Sequence, residues 1–338
     1  MTEESSTTSH LSADMKTTGM TQIAGVNTTT SSLSLGIEFY FQCAVVVVGV
    51  VGTATNGLIL YALIASKQHN KHVLIVNQNV LDLFTSFTMA VSYSIKLCNI
   101  QLIGSAGYWL CTLILSANFF WCGMMGSVIN LAAVTVERYL KVVHSAWSQN
   151  KLRNWMIYSA AAFTWVGGIV WHSTFMFTST AVIDGVCYEY VIIHSEVAIK
   201  IHDFLHFVSF YVIILLLFIF CYWRILVVIR RQAKVMAGHA AAGPSTAQTH
   251  AQTQSYKIQY NVIKTMILVS ALFATSWLPS YIYTIDMGMN SKPIDAGFYV
   301  TIIVAFLYTC TNPFIYAIKF DPVREVLLRL FPCKKNSG

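Results

Sequence analysis

Charge is scarce in this chain: Asp, Glu, Lys and Arg make up only 10% of its 338 residues, while 56% are hydrophobic. A soluble domain carries roughly 25% charged residues, so there is no separate soluble unit to house an enzyme. Paired cysteines at CxxC spacing are absent, which excludes a structural zinc scaffold of that kind. No internal repeat is visible, and this counts against the duplicated architecture of many transporters. The first 35 residues lack the apolar core of a cleavable signal peptide, so the first membrane span is expected to direct insertion itself.

Long apolar runs are what the chain does have. About 20 residues cross the roughly 30 Å of bilayer hydrocarbon, and seven such segments fall at 36–66, 73–97, 108–142, 154–178, 199–229, 258–287 and 296–318. The expected fold is an all-α membrane protein: a seven-transmembrane helix bundle over 36–320 with a short amphipathic helix after it. Residues 1–35, rich in Ser and Thr, read as a disordered extracellular tail, and 321–338 as the amphipathic helix and a short cytoplasmic tail. Residues 232–256, rich in Ala, Gly, Ser, Thr and Gln, read as a flexible loop.

Basic residues give the orientation. With the N-terminus outside, all but Lys16, Lys96, Lys200 and Lys292 of the 21 Lys and Arg lie on the inner side, as the positive-inside rule requires. The net charge of +7 is then an orientation signal and an attraction to anionic membrane lipid, not a nucleic-acid footprint. A multi-pass membrane protein with its N-terminus outside follows, and the plasma membrane is its expected location. On that topology Asn27, in Asn27-Thr28-Thr29, is a glycosylation acceptor. Cys111 and Cys187 both lie outside, where one disulfide can form, and the juxtamembrane Cys333 is expected to be palmitoylated.

Polar groups at membrane depth are costly, so each is a functional candidate. Asn56, Asp82, Ser127, Asn130, Thr309 and Asn312 stand among Val, Leu, Ile and Phe in four different spans. Oxygens around one buried carboxylate suit a proton or a hard monovalent cation, sodium, at Asp82, Ser127 and Asn312. The same side chains also suffice as a hydrogen-bond network that binds the helices together. Glu137, Arg138 and Tyr139 end the third span on the inner side, either as snorkelling interfacial charge or as a switch. Phe273 and Trp277 sit four apart beside Pro279, where a kink makes the sixth span a lever. Asn312 and Tyr316 flank Pro313 on one face of the seventh.

In order and spacing these pieces resemble the rhodopsin-like, or class A, G-protein-coupled receptors over about residues 36–333. The matching positions are Asn56 in GTATN, Asp82 in NVLDL, Glu137-Arg138-Tyr139, Trp165, Tyr222, SWLP at 276–279, NPFIY at 312–316 and the amphipathic run 321–332. The resemblance implies an extracellular ligand, a heterotrimeric G protein as partner and no enzymatic activity. It also implies an activation switch of Glu137, Arg138, Tyr139, Tyr222, Phe273, Trp277, Pro279, Asn312, Pro313 and Tyr316. This chain departs from the family in four places. Cys111 lies about two residues further from Arg138 than usual, Ile214 stands where the fifth span usually has proline, no acid opens the sixth helix near Gln259, and His144-Ser145-Ala146-Trp147 lacks the usual inner-loop proline.

Phe120 occupies the place of the aspartate in amine receptors of the family, and Phe306 that of the retinal lysine in opsins, so the resemblance disfavours an amine ligand and a photoreceptor. The outer half offers Phe120, Trp121, Met124, His206, Phe210, Trp277, Ser280, Tyr281, Thr284 and Phe306, an aromatic cavity with few hydrogen-bonding groups. A small neutral ligand fits it. A peptide fits an outer rim made acidic by Asp184, Glu189, Asp203, Asp286 and Asp295. His202 and His206 share a helix face at zinc-ligand spacing, with Asp203 pointing about a quarter turn away. The alternatives to a signalling receptor are a non-signalling decoy receptor and a seven-span intramembrane zinc hydrolase using His172, His202 and His206.

Overall fold

A lipid-exposed helix has no use for a polar face, and the helices here are turned accordingly. Phe163, Val166, Leu216, Ile219 and Trp223 lie on the outside of the bundle, while Asn56, Gln78, Asn79, Asp82, Asn130 and Asn312 are buried within it. This computed structural model describes residues 28–69, 72–188, 196–240, 247–290, 292, 294–319 and 321–330. Met1–Phe41 and Gln42–Gly338 are separate contact units, and the sites below lie in the second.

The first span belongs to helix α1 (Thr28–Ala65), which starts eight residues before the expected position 36. The second is α2 (Val73–Leu97). The third is broken into α3 (Gly104–Leu110), a π turn at Cys111–Leu115, and α4 (Asn118–Val143). A short helix α5 (Ser145–Lys151) leads to the fourth span, α6 (Asn154–Ser179). A hairpin of β1 (Ala181–Ile183) and β2 (Val186–Tyr188) follows. The fifth span runs through α7 (Glu196–Phe207), a π turn at Val208–Val212, and α8 (Ile213–Ala240). The sixth is in α9 (Ala247–Asn290), the seventh in α10 (Ala296–Lys319), and α11 (Asp321–Leu330) is the amphipathic helix.

Six of these helical stretches are long and apolar enough to cross a membrane by length and composition. The remaining span, α6, has 26 residues, about 39 Å at 1.5 Å per residue. Trp155, Trp165, Trp171 and His172 dilute its apolar character. Its fit against α4 is backbone to backbone: a Cβ on Gly168 would stand 2.3 Å from the Cys122 carbonyl oxygen. Such close approach favours association where no hydrophobic effect drives it.

Three local results differ from the sequence reading. First, the extra residues between Cys111 and Arg138 are taken up at the break in the third span. Ser116 N–H reaches back five residues to the Cys111 carbonyl at 2.8 Å, and Ala117 turns left-handed at φ 54° before α4 begins. Second, the fifth span forms its π turn without proline, six residues ahead of Ile214. Third, most of 232–256 is helical, extending α8 and α9 and leaving only 241–246 between them outside the described residues. Alanine and glutamine are good helix formers, and that composition outweighs the glycines.

The hairpin was not anticipated, although its signal was present. Asp184-Gly185 between β-branched residues is a two-residue turn sequence, and both residues have positive φ, 51° and 79°. The hairpin pairs Val182 with Cys187 and brings Cys187 to Cys111, Cα to Cα 5.3 Å, in a disulfide. Leu102 N–H bonds the Gly185 carbonyl at 3.0 Å, so the hairpin is also tied to the chain entering α3.

Candidate functional site

At mid-bundle the polar residues converge. Ser127 donates its hydroxyl to Asp82 Oδ1 at 2.6 Å, and Asn312 Nδ2 donates to Asp82 Oδ2 at 2.7 Å. Gln78 lies one turn before Asp82 on α2 and points its amide nitrogen at both carboxylate oxygens, 3.2 and 3.4 Å away. The same nitrogen donates to Ser127 Oγ. Gln78 Oε1 accepts from Asn130 Nδ2 at 2.8 Å, and Asn130 Oδ1 accepts from Asn77 Nδ2 at 2.8 Å. Asn77 Oδ1 accepts from the Trp165 indole at 3.0 Å. On the other side Asn56 Nδ2 bonds the Thr309 carbonyl at 3.0 Å, so the seventh span is tied to the first. The Thr309 hydroxyl itself turns back to the Phe306 carbonyl.

Toward the disulfide end the interior becomes aromatic. Phe306 packs on Phe120 with centroids 4.8 Å apart and on Trp121 at 6.0 Å. Trp121 also meets His172 at 5.9 Å and Trp277 at 6.4 Å. Trp277 continues to Tyr281 at 5.9 Å, and the Tyr281 hydroxyl lies 3.4 Å from His206 Nδ1. His206 stacks on Phe210 at 5.2 Å. Met124, Phe210 and Ser280 are buried close by in sequence on the same three helices, and Thr284 is half-buried. Two buried nitrogens in this girdle, His172 Nε2 and Trp277 Nε1, have no hydrogen-bond partner among the described residues.

From Trp277 the contacts run on toward the other end. Phe273, one turn along α9, touches Tyr211, Phe218 and Tyr308 with centroids 6.1, 6.2 and 5.6 Å away. The Tyr211 hydroxyl bonds the Ala274 carbonyl at 2.8 Å, near the helix turn opened by Pro279. Below that, Tyr222 bridges the third and sixth spans: its hydroxyl lies 3.0 Å from Thr135 Oγ1 and 3.1 Å from Ser270 Oγ. Arg138 donates to His72 Nδ1 at 3.2 Å and lies 3.7 Å from Glu137. Glu137 makes its closer contact with Lys141, one turn on. Tyr139 reaches His144 at 3.2 Å.

The profile of the 7 transmembrane receptor (rhodopsin family) matches residues 55–316. The chain belongs to this family. Galanin receptor type 1 of Rattus norvegicus is 24% identical, over 89% of this chain and 84% of its own length. C-C chemokine receptor type 8 of Mus musculus is 23% identical, over 88% and 80%. Melanopsin of Felis catus is 24% identical, over 86% of this chain and 60% of its own. Among solved structures, the crystal structure of squid rhodopsin superposes with a TM-score of 0.71 at 16% identity, covering 88% of this chain and 86% of its own. That structure shares the fold.

This rhodopsin-family receptor is therefore a multi-pass membrane protein and a receptor, not a zinc hydrolase. His202 and His206 stack with centroids 6.4 Å apart, His202 pairs with Asp203 at 3.3 Å despite the expected quarter-turn offset, and His206 turns to Tyr281. Among the described residues no three His, Cys, Asp or Glu side chains group as metal ligands. Asn27 and Cys333 lie outside the described residues, as do the side chains of Gln259 and Tyr316. Sequence reasoning missed three contributors. Gln78 and Asn77 sit near the start of a span, where polar residues read as interfacial, and His172 was weighed only as a metal ligand.

Proposed function

We propose that this receptor binds a neutral, largely apolar ligand carrying at least one hydrogen-bond acceptor in the aromatic girdle, and that binding promotes nucleotide exchange on a heterotrimeric G protein at the Arg138 end. In this reading the disulfide end and the glycosylated N-terminus face outward from the plasma membrane, and palmitoylated Cys333 lies on the inner leaflet. The observation that carries it is the pair of unpartnered nitrogens, His172 Nε2 and Trp277 Nε1. An unmet buried polar group costs about 1–3 kcal/mol. An acceptor on a bound ligand would meet the donor-only Trp277 indole, and His172 Nε2 would take a donor or an acceptor according to its tautomer, whereas a purely hydrocarbon ligand would leave both unmet.

Charge speaks against ionic ligands. The girdle residues named above include no Lys, Arg, Asp or Glu. At the rim, Asp203 faces His202, Asp286 binds Lys292 at 2.7 Å, and Asp295 accepts from the Tyr283 hydroxyl. These three carboxylates already have partners, so a basic peptide gains less from them than the sequence alone suggested; of the other two rim acids, Asp184 is exposed at the hairpin turn and Glu189 lies outside the described residues. Phe306 fills the girdle with a ring and has no amine to form a Schiff base, so the likeness to melanopsin does not bring light-sensing chemistry with it.

Signal transfer uses the ring contacts. A ligand that draws Trp277 to a new position moves Phe273 with it, and Pro279 gives α9 a place to bend. The Tyr222 clasp between Thr135 and Ser270 then opens, and Arg138 leaves His72 for the G protein. A ligand shifts this equilibrium only by its differential affinity for the two arrangements. The test is nucleotide exchange in membranes from cells expressing the full chain at matched surface levels. Basal exchange above empty membranes is expected, falling to background with Arg138→Ala. Wild-type exchange at background across several G proteins would favour the non-signalling decoy instead.

A further inference from the structure

The oxygens of Asp82, Ser127 and Asn312 suit sodium when considered by themselves, but Gln78 stands among them. We propose that the Gln78 side-chain amide takes the place of a cation between Asp82 and Ser127, so that the chain itself closes its core and sodium does not bind there. This inference is independent of the ligand and of the G protein.

A cation needs oxygen lone pairs turned toward it. Both charged oxygens are already engaged: Asp82 Oδ1 accepts from Ser127 at 2.6 Å, and Oδ2 from Asn312 at 2.7 Å. Gln78 Nε2 donates toward both at 3.2 and 3.4 Å and also to Ser127 Oγ. An amide NH₂ carries two partly positive hydrogens and fills the space between these three oxygens, where an ion would have to sit. The buried amide oxygens left without a donor, Asn79 Oδ1 and Asn312 Oδ1, are neutral and do not replace the occupied carboxylate.

The direction of the Gln78 amide is not arbitrary. The Trp165 indole can only donate, so the atom of Asn77 that faces it at 3.0 Å must be the oxygen. The Asn77 nitrogen then faces the Asn130 oxygen, and the Asn130 nitrogen faces the Gln78 oxygen, each at 2.8 Å. Gln78 is left with its nitrogen toward Asp82. A flip would set its NH₂ against the NH₂ of Asn130 and its oxygen against the carboxylate. Swinging it out to admit sodium would strand the Asn130 nitrogen from Gln78, leaving it only its bond to the Leu74 carbonyl. One donor-only indole thus sets the polarity of three amides and closes the seat.

Thermal unfolding of the purified full chain in sodium chloride and in choline chloride, at equal ionic strength, tests this. Wild type is expected to melt at the same temperature in both salts. Gln78→Leu, which frees the carboxylate face, is expected to gain a sodium-specific rise of roughly 2–4 °C. Adding Asp82→Asn to it should remove the rise. A sodium-specific rise in wild type that Asp82→Asn abolishes would overturn the proposal. So would a Gln78→Leu protein that folds yet stays indifferent to sodium. If that variant fails to fold, the wild-type and Asp82→Asn pair decides alone.

Discussion

The two polar regions of this bundle are built on opposite plans. Around Asp82 every amide nitrogen of Asn56, Asn77, Gln78, Asn79, Asn130 and Asn312 has an acceptor within the protein. In the girdle between Trp121, His172 and Trp277, two buried nitrogens have none among the described residues. In the first region every amide donor is met and the unmet amide groups are two oxygens, Asn79 Oδ1 and Asn312 Oδ1, whereas in the second the unmet groups are nitrogens. A completed network holds helices in one arrangement, while an incomplete one stores a preference for whatever completes it. Structure and recognition are thus divided along the bundle axis, with Trp277 and Phe273 linking the two.

The most damaging way to break this division is to cut the complete network. Asn130→Leu keeps the heavy-atom count and branching but strands the Gln78 oxygen and one Asn77 donor, and should cost about 3–5 kcal/mol. A large fall in melting temperature of purified protein is the expected readout. Cys111→Ser acts at the other end, where a covalent bond rather than a polar network ties the hairpin to the third span. Its cost should be about 2–4 kcal/mol, with faster amide hydrogen exchange confined to the hairpin and the residues around the π turn. Exchange that rises equally around Asp82 would show the two regions to be coupled. Trp165→Phe removes only the indole donor that orients the amides, and about 1–3 kcal/mol should be lost.

How much of this could be read from sequence depends on the kind of residue. Asp82, Ser127 and Asn312 announced themselves because polar groups are rare in apolar runs, and they do meet. The Cys111–Cys187 bond was likewise legible, since both cysteines fall at outer-side positions where a disulfide can form. Gln78 and Asn77 were not, because burial near a span's end depends on tilt and on which neighbour lies alongside, and neither is encoded locally. Asp184-Gly185 carries a two-residue turn signal of its own, short beside the long apolar spans that flank it. The helical stretches in 232–256 show composition misread: glycine suggested a loop where alanine and glutamine carried the helix on. The unmet nitrogen of His172 has no sequence signal at all. Its neighbour Trp121, on another helix, packs ring to ring against it with centroids 5.9 Å apart.

The smallest expected effect is the most direct test. His172→Phe keeps a ring of similar size and removes a buried polar atom that nothing in the protein satisfies. Such a replacement is expected to leave stability unchanged or raise it by up to about 1 kcal/mol, in contrast to the loss from Asn130→Leu. Melting temperatures of the two variants, measured side by side with wild type in the same buffer, decide the matter. A sharp fall for Asn130→Leu with no fall for His172→Phe is the predicted result. Comparable falls in both would mean that His172 already has a structural partner, and the girdle would then not be the open half of this receptor.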